Sequence, residues 1–155
     1  MKLTRLLLLL PFLFMASVAL AAPTTPAEGP ASVDASWAKA FKAMDLEAVM
    51  ACYAPDAVAW LPDSPPAKGT QAIRESYRAF FAENTVQDVS TSEMHHETMG
   101  NRSVSWGTFS MRTLPKATGQ PVTATGRFTE VTEKRNGRWV YVLDHGSLDP
   151  APAAK

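Results

Sequence analysis

The sequence predicts an α+β domain with its helices first and an antiparallel meander after them. Two observations carry this. Apolar residues recur at helical spacing up to about residue 81 and at a period of two from residue 86 onward. Short turn signals then join the later segments, and Asn136-Gly137 is the strongest hairpin signal in the chain.

The first helical stretch begins near Ser32, a good N-cap, with Val33, Trp37, Ala40, Phe41 and Met44 on one face. Asp45 reads as a fresh N-cap, followed by a stripe of Leu46, Val49, Met50 and Tyr53 that Pro55-Asp56 ends. Ala57–Leu61 reads as a short strand, and Pro62–Pro66 with Lys68-Gly69 as loop. Thr70 opens a third helix, with Ile73, Tyr77, Phe80 and Phe81 on one side. Four strands follow, at Val86–Met99, Ser103–Leu114, Val122–Lys134 and Arg138–Ser147.

Eight of the thirteen leucines fall in the first twenty residues, behind Lys2 and Arg5. With Ala19-Leu20-Ala21 this reads as a signal peptide over 1–21. The rival, an uncleaved anchor, is short for a span and contains Pro11. Residues 22–31 form a Pro- and Thr-rich leader, 32–149 the folded domain and 150–155 a tail. The expected location is therefore periplasmic or secreted, with membrane contact only during export.

Charge and cysteine narrow the function. Lys+Arg and Asp+Glu are fifteen each, and without Lys2 and Arg5 the chain is acidic, which argues against nucleic acid. A single cysteine, Cys52, excludes an internal disulfide framework and reads as a small buried apolar residue. The chain has no phosphate-cradling glycine loop, GxSxG elbow or dinucleotide fingerprint, so no cofactor is expected.

Two stretches resemble a known family. Asp45-Leu46 … Tyr53-Ala-Pro-Asp56-Ala57-Val58 … Pro62 … Gly69-Thr-Gln-Ala-Ile73-Arg74 is similar to the front half of nuclear transport factor two-like proteins. Asn136-Gly-Arg-Trp139-Val-Tyr-Val-Leu-Asp144-His145-Gly-Ser147 is similar to their closing strand, most closely that of SnoaL-like and SgcJ/EcaC-like bacterial domains. The resemblance implies a cystatin-like cone, a curved antiparallel sheet wrapped on three helices around an apolar pocket. It also implies a homodimer joined through the outer sheet face. The superfold hosts isomerases, cyclases, hydrolases, dehydratases and non-catalytic proteins. Ketosteroid isomerases, the best understood relatives, place a tyrosine, an aspartate base and a protonated aspartate where this chain has Trp37, Leu61 and approximately Gly126-Arg127. All three depart from the pattern, so steroid isomerase chemistry by that mechanism is rejected.

The candidate site residues follow. Asp144 and His145 sit side by side on the last strand and so face opposite sides. Strict alternation puts His145 inward with Trp139, Tyr141 and Leu143, where an imidazole suits general acid/base work. Asp144, a catalytic candidate beside His145, is then expected on the outer side, where it would pair with an arginine. Trp60, Trp106 and Tyr77 are candidates for the pocket wall, and Arg127 for an anionic ligand group or a cross-strand ion pair. Met94-His95-His96-Glu97 puts only His95 and Glu97 on one face, so polar alternation explains it and no metal is expected. The expected function is an exported protein that binds a small apolar molecule. The alternatives are a cofactor-independent isomerase, cyclase or hydrolase using His145, or a dimerisation module.

Overall fold

The computed structural model describes residues 29–150. The expected signal peptide, residues 22–28 of the leader and all but the first residue of the tail lie outside the described residues. Helix α1 runs Ala31–Lys42, α2 Leu46–Met50 and α3 Gly69–Glu83. The strands are β1 Tyr53–Trp60, β2 Ala67–Lys68, β3 Asn84–Met99, β4 Arg102–Pro115, β5 Val122–Arg135 and β6 Arg138–Leu148. They form one six-stranded sheet in the order β2-β1-β6-β5-β4-β3, antiparallel throughout except for the parallel β1–β6 pair. The α+β reading holds.

The helices lie against one face of this sheet. Val33, Ala40 and Phe41 of α1, Val49 and Met50 of α2, and Ile73, Tyr77 and Phe81 of α3 are buried with Tyr53, Ala57, Ala59 and Tyr141 of the sheet in one core. Asp45 caps α2 as expected, its carboxylate accepting from the Ala48 backbone N–H at 3.0 Å. Cys52 is buried in this core, and burial pushes its thiol up to about 11, so it remains a protonated apolar filler.

Several boundaries differ from the sequence reading: Ser32 and Thr70, expected to start their helices, lie inside α1 and α3, which are capped by Pro30 and Lys68. Tyr53 belongs to β1 and not to the helical stripe before it, because α2 stops at Met50 and the Tyr141 backbone N–H bonds the Cys52 carbonyl at 2.8 Å. Pro55 is tolerated inside β1 because the β1–β6 register is broken between Tyr53 and Val58, where no ladder N–H is required. Lys68, read as loop, pairs with Val58 in the two-residue strand β2.

Bulges shape the sheet. β3 carries one extra residue against β4 between Val86 and Asp88, and another between Ser92 and His95. β6 carries one at Val142: Tyr141 pairs with Thr132 while Leu143 pairs with the adjacent Val131. Each bulge bends its strand and reverses the facing of every residue beyond it. The bulge at Val142 determines what lines the interior.

Candidate functional site

Tyr141 is buried against the helices, and strict alternation would turn Asp144 outward. The Val142 bulge cancels that step, so Asp144 faces inward as well, with 7% of its surface exposed. His145 consequently lies on the outer face. Its ring meets Trp60 edge-on, with centroids 5.9 Å apart, and Trp60 itself is 46% exposed. The expected facings of Asp144 and His145 are therefore exchanged.

A cavity of about 150 Å³ opens between the helices and the sheet. Its apolar wall comes from Trp37 and Phe41 of α1, Phe80 of α3, Met111 and Phe109 of β4 and Phe128 of β5. Tyr77, Glu130 and Asp144 supply its ionisable groups. Trp37 and Phe41 stack at 4.9 Å, and Phe41 stacks on Phe80 at 5.6 Å. Two cross-strand pairs, Gly107 with Phe128 and Phe109 with Gly126, let each phenyl ring lie over a glycine on the neighbouring strand.

A directed hydrogen-bond chain ends at Asp144. The Trp37 indole N–H donates to the Tyr77 hydroxyl at 3.0 Å. Tyr53 donates its only proton to Asp144 Oδ2, so the 2.6 Å contact between the two tyrosine hydroxyls has Tyr77 as donor. Burial raises the Asp144 carboxyl to about 6, and the Tyr53 hydrogen bond moderates the rise. Burial raises both tyrosines well above their ordinary value, so they remain donors at any physiological pH.

Behind Asp144 lies a second acidic group. Glu130 of β5 is pushed up to about 10, first by burial and then by the charges of Asp144 and Asp34. Asp34 of α1 accepts from the Tyr141 hydroxyl at 2.8 Å and is raised by burial too. Asp34 Oδ2 and Glu130 Oε2 are buried, and neither has a donor among the described residues. A proton retained on Glu130 resolves both, since the acid then donates to its Asp34 neighbour.

Of the other candidate residues, Tyr77 lies on the cavity wall. Trp106 does not: it is 37% exposed on the outer face, where the His95 ring stacks on it at 5.4 Å. Arg127 points outward between the inward Gly126 and Phe128, and its guanidinium lies 3.5 Å from Asp149 in an exposed ion pair. His95 and His96 take opposite faces; His96 bonds Ser105 Oγ at 3.1 Å and lies 3.9 Å from Asp34. Among the described residues no three His, Cys, Asp or Glu side chains are grouped to hold a metal.

Glu130, Asp34, Tyr53 and Trp37 were not among the expected site residues. Glu130 was within reach of the sequence, since it shares parity with Gly126 and Phe128 on an unbroken stretch of β5. The inward facing of Asp144, itself an expected site residue, was not, because the bulge that turns it inward has no signature in Tyr141-Val-Leu-Asp144.

Comparison with known proteins agrees with this architecture. A ketosteroid isomerase-like protein from Erwinia carotovora superposes with a TM-score of 0.70 at 22% identity, over 78% of this chain and 94% of that one. A nuclear transport factor 2-like superfamily protein from Salmonella enterica gives 0.68 at 17% identity, over 78% and 89%. A cystatin-like protein from Caulobacter vibrioides gives 0.66 at 16%, over 79% and 89%. At these identities the likeness is one of fold. No curated protein matches the chain. The family model of the SnoaL-like domain matches residues 20–142, most of the sequence, and the chain belongs to that family.

Proposed function

We propose that this protein binds a small apolar molecule in the cavity between helices and sheet, with the ligand's polar end against Asp144. One observation carries the reading: an aromatic-walled space of about 150 Å³ with a buried carboxyl on its wall. A cavity of this size elsewhere accommodates a single benzene ring. Export and homodimerisation remain part of the proposal. The leucine-rich start with Ala19-Leu20-Ala21 supports the first, and the exposed Trp60, Trp106 and Met99 support the second.

Toluene titration followed by thermal shift tests the binding reading. Ser76 lines the cavity from α3 and is half-buried, so Ser76→Phe is expected to fill the space and remove the response. A toluene response of equal size in Ser76→Phe, or none in the wild type, would count against the cavity. Trp60→Ala and Trp106→Ala, being outside it, are expected to retain the full response and to cost less than about 1 kcal/mol in stability.

A second reading has its own support. A carboxyl raised to about 6 inside an apolar wall suits a general base near neutral pH, and isomerase chemistry occurs in this superfold. On that reading Asp144 takes the role first expected of His145. Once a turnover assay exists, Asp144→Asn should lower kcat roughly 10²–10⁴-fold, and His145→Ala should leave it within about twofold.

A further inference from the structure

We infer that the cavity selects a small apolar amine, held as its ammonium ion against Asp144. This rests on the reading of the cavity as a ligand site and assigns the chemistry of the ligand.

The lining is one-sided in charge. It contains no Lys, Arg or His, and its ionisable groups, Asp144, Glu130 and Tyr77, are all acids. Asp144 is almost wholly buried, and its one hydrogen bond, from Tyr53, falls on Oδ2. Its Oδ1 receives no hydrogen bond from the described residues, while the residue lines the cavity. The ionisable groups packed around it on the inner side are all acids, Tyr53 on β1, Tyr77 on α3, Glu130 on β5 and Asp34 on α1, and only the charge of His145, its neighbour in sequence, acts on it in the opposite sense. The nearest basic group, His145, lies on the far face of the same strand.

A buried carboxylate is stable when paired with a cation and hydrogen-bonded to it. The protein supplies one hydroxyl donor to this one, from Tyr53, but no Lys, Arg or His on the cavity wall, and a ligand ammonium would complete the pair. The aromatic wall favours the same class, since a cation is attracted to the faces of Trp, Tyr and Phe rings. A ligand carboxylate would instead place a second negative charge against Asp144. An alcohol would hydrogen-bond to Oδ1 but leave the charge unneutralised.

Isothermal titration of the full chain at pH 7.5 with benzylamine, benzyl alcohol and sodium benzoate isolates the head group on one skeleton. Benzylamine, protonated at that pH, is expected to bind at least roughly tenfold more tightly than benzyl alcohol, with benzoate weakest. Benzyl alcohol or benzoate binding as tightly as benzylamine would overturn the amine assignment and leave the cavity reading standing. No binding of any of the three, or of toluene, would overturn the cavity reading itself. Asp144→Asn keeps the side-chain shape and an acceptor for Tyr53, and is expected to abolish the preference for benzylamine over the alcohol. A preference surviving in that variant would place the cation elsewhere and refute the role of Asp144. Should the variant fail to fold, the three-ligand comparison on the wild-type chain still decides the matter.

Discussion

Glu130→Gln is expected to stabilise the fold at pH 8 by on the order of 3 kcal/mol and to flatten the dependence of its stability on pH. The folded chain holds the Glu130 proton up to about pH 10, whereas the unfolded chain releases it near 4.5. Between those values the unfolded state binds fewer protons, so stability falls as pH rises, by roughly 1.4 kcal/mol per unit from this group. Asp144 contributes in the same direction between about 3.8 and about 6. The groups around Glu130 do not offset the effect. Asp34 on α1 and Asp144 on β6 are acids, Tyr141 and Tyr77 are neutral donors, and His96 on β3 approaches only Asp34. Glu47, Asp56 and Asp88 are lowered by their partners Arg74, Arg135 and Lys42, and they add stability as pH rises through the acid range. Their exposure keeps that term small. A glutamine is neutral at every pH, and its amide can donate to Asp34 as the protonated acid does. Urea denaturation at pH 5, 7 and 9 measures the effect. Equal stability of variant and wild type at pH 8, with equal slopes, would show that Glu130 is not held neutral.

The same buried acids show where the sequence was legible. Helix faces were, because Val33, Ala40, Phe41, Ile73, Tyr77 and Phe81 combine helical spacing with apolar side chains. The later strands were, because Asn136-Gly137 and the alternation flanking it pin the hairpins, and Asn136 and Gly137 both take the positive φ that such a turn requires. The inward face of the sheet was not. Near the Arg102 end of β4 it carries Ser103, Ser105 and Thr132, all fully buried, whereas Trp106 and Trp60 lie outside. A rule that places aromatics inside and hydroxyls outside inverts this region. Two of these hydroxyls find partners on β3: Ser105 bonds the His96 ring at 3.1 Å and Ser103 donates to the Glu97 carbonyl at 3.1 Å, while the Thr132 hydroxyl has no partner among the described residues. Asp144 was named as a candidate, but its facing was misassigned for a different reason. One extra residue at Val142 turns it inward, and a bulge depends on how β5 and β6 register and not on local composition.

Gly126→Ala is expected to destabilise the protein by roughly 3 kcal/mol, about 10 °C in Tm, and to distort the cavity wall. A Cβ at this position would lie 2.1 Å from the Ser147 carbonyl oxygen and 2.6 Å from Cζ of Phe109. The first contact is with backbone, so β5 and β6 must separate. The second is with a ring that lines the cavity, so relief comes only by pushing Phe109 out of place. Gly119→Ala separates this effect from the general cost of replacing glycine. It has positive φ but no atom within 4 Å of the added carbon, and it should cost about 1 kcal/mol. Phe109→Leu removes the ring but leaves Ser147 where it is. Combined with Gly126→Ala, it should be less harmful than the two single effects added together, by about 1 kcal/mol of coupling. Strict additivity would mean that Ser147 alone carries the cost. A Gly126→Ala variant as stable as the wild type would mean that the strands at this corner do not approach so closely. The aromatic wall would then owe nothing to the glycine beneath it.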